Sequence, residues 1–436
     1  MSDHPSRRPV RTVSHSNIVS HPGCAPPGEP AAHSGLAAGT LVRAGYAPGG
    51  SADGSAGGER GDSVIIGASL PLTGPLHTFG TTLRLGYEQA IAEVNEAGGI
   101  EIDGVRHALE LRVLDNGSNG DTAAEQTRSL VLDGGAVALL GPATPPLSIP
   151  VSLVAEQLEV PVLITVTPLQ AWKGGNPNGW THAWDVFFDE LQMTRTQFQA
   201  ADLVETNRKA ALFTDTEEDG VVMGGLWEET APEFGYEIAY RAQFPVGNTD
   251  FSSQVREALA AGAEVVITQV TPPDGIALLE EMKAQGYEPR VLFLEKAGNT
   301  GGLVEISGGL AEGSLAANWF AAGTGLDREQ EFIDAYAAGL GGVNSDLGNV
   351  VCGYSVARVL IEATERAGSL DAKAINDEIA KTDGTFPAGR ISFGDDRAAV
   401  LPAVQTQWIG NDQVLVLDVD GEATGTAPIA PTAGLR

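Results

Sequence analysis

Residues 64–100 read VIIGASLPLTGPLHTFGTTLRLGYEQAIAEVNEAGGI, and the stretch changes character twice. Val64, Ile65 and Ile66 form a short β-branched run of the kind that makes a buried strand. The SLPLTGPLHTFG that follows carries two prolines and two glycines, the marks of a loop. From Thr82 onward Leu83, Tyr87, Ala90, Ile91 and Val94 recur at three- and four-residue steps, which predicts an amphipathic helix. Gly98 and Gly99 supply its stop. The unit is strand, long loop, helix, with the loop at the strand's carboxyl end. In open α/β sheets that edge is where ligands bind.

The same alternation continues outward. Residues 109–114 alternate as a second strand and run into the turn DNGSNGD, and 122–132 have a helical pattern. Residues 136–140 (AVALL) are a buried parallel strand ending at Gly141, with a helix over 148–157 and another buried strand over 160–164. From about Phe187 the pattern starts again. Strands are predicted at 210–213, 238–240, 265–267 and 291–293, with helices over 223–234, 251–261 and 275–285. Helical patterns follow at 327–340, 350–367 and 371–381, then strands at 391–393 and 404–408. Strands alternating with helices predict parallel sheets with right-handed crossovers. The expected fold class is α/β with two doubly wound lobes, which 436 residues can fill.

Charge is unevenly placed. The formal net charge is −31, yet in residues 1–62 five Arg balance five Asp and Glu, so the excess lies in the folded part. An acidic surface argues against nucleic acid, whose phosphates need cationic contacts. Residues 1–62 are rich in Gly, Pro, Ser and Ala without periodicity and read as a disordered tail. Arg7, Arg8 and Arg11 suit the start of an export signal, but no apolar segment follows them. Cys24, in HPGCAP, has half of a lipid-attachment box. Cys352 sits in the apolar helical pattern NVVCGYSVARVLIEA, where a free thiol behaves as a small hydrophobe.

Catalysis finds little support. Four of seven histidines (His4, His15, His21, His33) lie in the tail, and His77, His107 and His182 lack a second metal ligand at helical spacing. Phosphate-loop, nucleophile-elbow and dinucleotide fingerprints are missing. The expectation is a non-enzyme with no cofactor and no metal. A binding cleft fits better. Gly141-Pro-Ala-Thr144 leaves a buried strand for a helix, and Thr165 and Thr167 leave the next strand likewise. Hydroxyls and backbone N–H groups at such a helix start suit a ligand carboxylate, although capping and turn roles use the same residues. Trp172 and Trp319 are candidate walls for an apolar ligand, or core packing.

The wording IGASLPLTG…FG…G…A…N..GGI, with AGRISFGDD near the end, resembles the periplasmic binding proteins of the branched-chain (Leu/Ile/Val) amino-acid ABC-transporter family. The resemblance spans about residues 63–420. It implies a type I periplasmic-binding fold whose chain crosses between lobes near Ala183, Trp319 and Pro387. The lobes would be residues 63–183 with 320–386, and 184–319 with 387–422, before a flexible carboxyl tail over 423–436. The implied partners are a small ligand, an amino acid or related small carboxylate, and the membrane subunits of an ABC importer, at the periplasm or cell envelope. A cytoplasmic or regulatory ligand sensor on the same fold is the alternative, raised by the export signal that is not visible.

The resemblance also implies residue roles. The loop from Gly141 and the one at Thr165 and Thr167 would hold the ligand's carboxylate and amino group, Phe79 would touch its side chain, and Glu295 would pair with its ammonium. The family's serine four residues after the glycine at Gly141 is replaced by Pro145, leaving Thr144 or Ser148 to substitute. The family's aromatic before the glycine at Gly220 is here Asp219, which favours a ligand with more cationic or hydroxyl character. In place of a tyrosine-rich loop stands QVTPPDG, with Thr271 and Pro272. Because residues 1–62 cannot bury a core, a chain starting at Asp62 should fold and bind like the full one. Melting temperatures that differ by more than a few degrees between the two would refute this.

Overall fold

The computed structural model describes residues 61–343 and 345–426, together with residues 428 and 435. The expectations for residues 1–60, including the tail and Cys24, lie outside the described residues. Gly61 N donates to Arg106 O at 3.0 Å, which ties Gly61 to the strand Val105–His107.

Two sheets carry the architecture. The first has six parallel strands, in the order Ala398–Val400, Ala183–Phe187, Val162–Thr165, Ala138–Leu140, Val64–Leu70 and Leu109–Asp115. The second has seven, in the order Asp412–Leu417, Val404–Ile409, Leu315–Asn318, Val291–Lys296, Val265–Val270, Lys209–Asp215 and Glu237–Phe244. Its last two carboxyl-terminal strands run antiparallel, so this edge is mixed. Central strands such as Val291–Lys296 are buried along their whole length, as a sheet covered on both faces requires. Among the described residues no helix is long and apolar enough to cross a membrane.

The opening unit is as expected: strand Val64–Leu70, then helix His77–Glu96. That helix packs along Ser345–Ala367. The approach is close, because a Cβ on Gly86 would lie 2.2 Å from Val350 O and 2.5 Å from Tyr354 N. Tyr87, one residue on, is buried, and its hydroxyl donates to Gly141 O at 2.8 Å. The helix thereby pins the loop that leaves the strand Ala138–Leu140.

Two crossings fall later in the chain than expected. Ala183–Phe187 pairs with Val162–Thr165 and belongs to the first sheet, so the chain leaves the first lobe after Phe187 rather than near Ala183. Ala398–Val400 pairs with Ala183–Phe187, so the last crossing follows Val400 rather than Pro387. The reason is pairing: each of these short strands adds backbone hydrogen bonds to an edge that would otherwise be open. The middle crossing passes Trp319, after Leu315–Asn318 of the second sheet. The crossings lie side by side, with Leu401 N donating to Phe187 O at 2.8 Å and the Phe187 and Trp319 rings edge-to-face at 4.5 Å. At the carboxyl end Ala423 bridges to Leu417 and Thr424 Oγ1 donates to Leu415 O, so the expected flexible tail starts with two tethered residues.

Gly86→Ala should destabilise the fold by about 1–3 kcal/mol through overpacking against backbone. Gly225→Ala should instead be neutral or stabilising, since that glycine is exposed in the helix Glu218–Thr230 with nothing within 4 Å. Chemical denaturation of both variants tests this, and equal midpoints would refute it.

Candidate functional site

The carboxyl ends of both sheets face one another across a cleft, and the helices Pro145–Leu158 and Leu169–Gly174 of the first lobe touch Glu218–Thr230 of the second. Between them lies a cavity lined by residues of both lobes. Its apolar wall includes Phe79, Val166, Phe187, Phe188, Met193 and Met223.

The first-lobe side is built on strained backbone. Thr144 adopts φ 68° and ψ 142°, and the β-branched Val166 adopts φ 53°, regions that side chains other than glycine rarely occupy. The two are tied together, Thr144 N donating to Val166 O at 3.0 Å. Thr144 is buried, and its Oγ1 has no hydrogen-bond partner among the described residues. The helix after it starts at Pro145, earlier than the expected neighbourhood of Ser148. Pro145 and Pro146 have no N–H, and the N–H groups of Leu147 and Ser148 both donate to Thr144 O. The helix start therefore offers a carboxylate fewer free donors than expected.

The other expected hydroxyls serve the lobe itself. Thr165 Oγ1 donates to Val186 O at 2.8 Å. Ser148 Oγ and Thr167 Oγ1 bond each other at 2.7 Å, and Ser148 also donates to Pro142 O. Thr271 is the buried N-cap residue of the helix Pro272–Gln285. None of these four lines the cavity; they brace the loops that do. Of the two tryptophans, Trp172 is core, stacked on Trp180 at 5.1 Å with its Nε1 donating to Ser152 Oγ. Trp319 lines the cavity, and its Nε1 has no partner among the described residues.

The second-lobe side carries the charge. Glu295, in the strand Val291–Lys296, is fully buried and accepts from Gln197 Nε2 at 2.5 Å and Ala317 N at 3.0 Å. Burial pushes its carboxyl up to about 7, against these two donors. Beside it Lys296, with φ 65°, points its ammonium at Asp215 (3.2 Å), Glu217 (2.7 Å) and Asp219 (3.3 Å). Burial alone would lower Lys296, but the three carboxylates hold it above its ordinary value. Asp215, Glu217 and Asp219 have a spacing a metal ion could use, yet the cation among them is supplied by the chain. Asp219 Oδ2 also accepts from Gln269 Nε2 at 2.8 Å, while Asp219 Oδ1 and Gln269 Oε1 are unpartnered among the described residues.

Of the sequence-predicted residues, the cleft thus brings together Phe79, Thr144, Asp219, Glu295 and the candidate wall Trp319. It adds Lys296, Gln269 and Asn299, which sequence reasoning did not single out. A lysine ending the apolar run VLFLEK was the one available signal for Lys296.

A carboxyl raised in the folded state keeps a proton that the unfolded chain has released, so it lowers stability as pH rises. Burial pushes Glu190 and Asp346, like Glu295, to about 7. The ligand-free melting temperature should therefore fall as pH rises from about 4.5 to 7 and beyond. Glu295→Gln, with no proton to lose there, should show a smaller fall between pH 5.5 and 8. Equal falls would mean that this carboxyl does not titrate in the window.

A family model described as periplasmic binding protein matches residues 63–413. A leucine-, isoleucine-, valine-, threonine- and alanine-binding protein of Pseudomonas aeruginosa is 23% identical over 340 residues, covering 77% of this chain and 86% of that one. A Leu/Ile/Val-binding protein homolog of Brucella melitensis is 28% identical over 323 residues, covering 72% and 83%. Among solved structures, a branched-chain amino acid transporter substrate-binding protein of Streptococcus pneumoniae in complex with isoleucine superposes with a TM-score of 0.69. It is 21% identical and covers 81% of this chain and 99% of that one. A solute-binding protein of an ABC transporter from R. palustris, in complex with benzoate, gives a TM-score of 0.69 at 16% identity, covering 81% and 95%. With the two facing sheets and the cleft between them, these matches establish that the chain belongs to the periplasmic binding protein family.

Proposed function

We propose that this chain is an extracytoplasmic solute-binding protein that closes its lobes on a small carboxylate, an amino acid or a related acid. It then presents the closed form to the membrane subunits of an ABC importer. The observation that carries the reading is a set of buried polar atoms without partners around one aromatic-lined cavity: Thr144 Oγ1, Trp319 Nε1, Asp219 Oδ1 and Gln269 Oε1. A buried polar group without a partner costs about 1–3 kcal/mol, and a ligand that pairs with all four removes that cost. Thr144 and Trp319 supply donors for a carboxylate. Glu295, with acceptor capacity left beyond Gln197 and Ala317, suits an ammonium. The relatives named for amino acids and the structural neighbour holding benzoate support this range.

Closure follows from the same geometry. A ligand held by the first lobe recruits the second because only the closed form satisfies atoms on both sides. Binding free energy is the whole activity, and no bond is made or broken.

A thermal-shift screen of amino acids and aromatic acids should yield a ligand that raises the melting temperature, as selective binding to the native state must. For that ligand, Glu295→Gln should weaken binding about ten- to a hundredfold, the loss of one charge-assisted bond. Thr144→Val should lower affinity without lowering the ligand-free melting temperature, because it removes an unpaired hydroxyl. Thr165→Val should do the reverse, since it takes the donor from Val186 O. Unchanged affinity in both cleft variants, measured by calorimetry, would refute the proposed site.

A further inference from the structure

We infer that the ligand carries a hydrogen-bond donor, a hydroxyl, amide or amine, on the end that meets the second lobe, so the cleft disfavours acids whose far end is plain hydrocarbon. The inference rests on the binding role proposed above and adds to it what the far end of the ligand must be.

Among the described residues, the polar atoms left without partners on the second-lobe wall are acceptors. Asp219 and Gln269 are 2% and 5% exposed, and both line the cavity. Gln269 Nε2 is occupied by Asp219 Oδ2, which orients the amide so that Oε1 is left over. Turning that amide round would set its oxygen against a carboxylate, so the orientation is fixed by repulsion as well as by the bond. Asp219 Oδ1 is the second acceptor left over.

Lys296 does not fill this need. An ammonium has three N–H donors, and Lys296 faces three carboxylates, Asp215, Glu217 and Asp219, at 2.7–3.3 Å. It meets Asp219 through Oδ2, the oxygen that Gln269 also uses, and leaves Oδ1 untouched. Three carboxylates around one ammonium leave the wall negative in balance, which further favours a donor over an acceptor or a hydrocarbon.

The rest of the cavity gives the ligand its polarity. The first-lobe side offers the Thr144 hydroxyl, and the crossing offers the Trp319 N–H. Phe79, Val166, Met193 and Met223 form apolar wall. The complementary molecule reads acceptor, hydrocarbon, donor. The ammonium of an α-amino acid would meet Glu295 and leaves Asp219 Oδ1 and Gln269 Oε1 still to be satisfied. A hydrocarbon end would bury both without partners, whereas a site built to bond a hydroxyl rejects the analogue lacking it by large factors.

Calorimetry on the full chain with matched pairs tests this: 4-hydroxybenzoate against benzoate, threonine against valine, and tyrosine against phenylalanine. In every pair that binds, the member with the donor should bind at least tenfold tighter. Gln269→Met, which keeps volume and removes an acceptor, should shrink that preference. Asp219→Asn keeps shape and lets a donor face the cavity, so it should shrink or invert it. Both variants are checked for an unfolding transition, and either one that folds suffices. Equal or tighter binding of benzoate, valine or phenylalanine than of its partner would overturn the inference while leaving the solute-binding role intact. So would a preference that survives in the folded variants. If no member of any pair binds, the proposed carboxylate-binding role fails, and this inference with it.

Discussion

The Lys296 ammonium among three carboxylates is the interaction on which the second-lobe wall depends. Asp215 ends one strand, Asp219 stands in the first turn of the helix that follows it, and Lys296 ends the strand Val291–Lys296. One buried cation joins these elements at the cleft edge. Removing one partner of such a buried pairing typically costs 3–5 kcal/mol, because the charges left behind have nothing to balance them. The backbone is strained to achieve it: Lys296 takes φ 65°, a conformation a lysine adopts only when something holds it there.

Strain recurs around the same cavity. Thr144, Val166 and Lys296 all have positive φ and all line it. Backbone of this kind costs of order 1–3 kcal/mol per residue and persists where the surrounding structure over-determines it. Here the determinants can be named. Tyr87 anchors Gly141, Thr144 bonds Val166, and three carboxylates hold Lys296. A ligand bound as proposed would meet a wall already arranged, which reduces the ordering cost of binding.

The crossings couple the two walls. Glu190, first residue of the second-lobe helix Glu190–Ala201, accepts from Gln170 N and Ala171 N of the first lobe at 2.6 and 2.9 Å, and Gln170 Oε1 accepts from Glu190 N in return. The lobes meet across short, hydrogen-bonded segments with aromatic rings beside them.

The sequence by itself determined the α/β class, the two lobes and the loops at the carboxyl edge of the sheets. Those depend on local periodicity, which a strand buried on both faces or a helix with one apolar stripe must display. It also marked Phe79, Thr144, Asp219 and Glu295, because loop chemistry at strand ends and family resemblance are both readable along the chain. Only the tertiary structure decided which of the candidate hydroxyls is left unpaired beside the cavity. Thr144, Thr165 and Thr167 look alike in sequence, but Thr165 finds Val186 O and Thr167 finds Ser148, leaving Thr144 unpaired. Two crossings shifted for a similar reason, since strands of five and three residues are recognised by their partners and not by their own sequence. Asp219 and Gln269 are 50 positions apart, and Lys296 and Asp215 are 81 apart. Whether a polar atom is satisfied depends on such distant neighbours, and no local pattern encodes them.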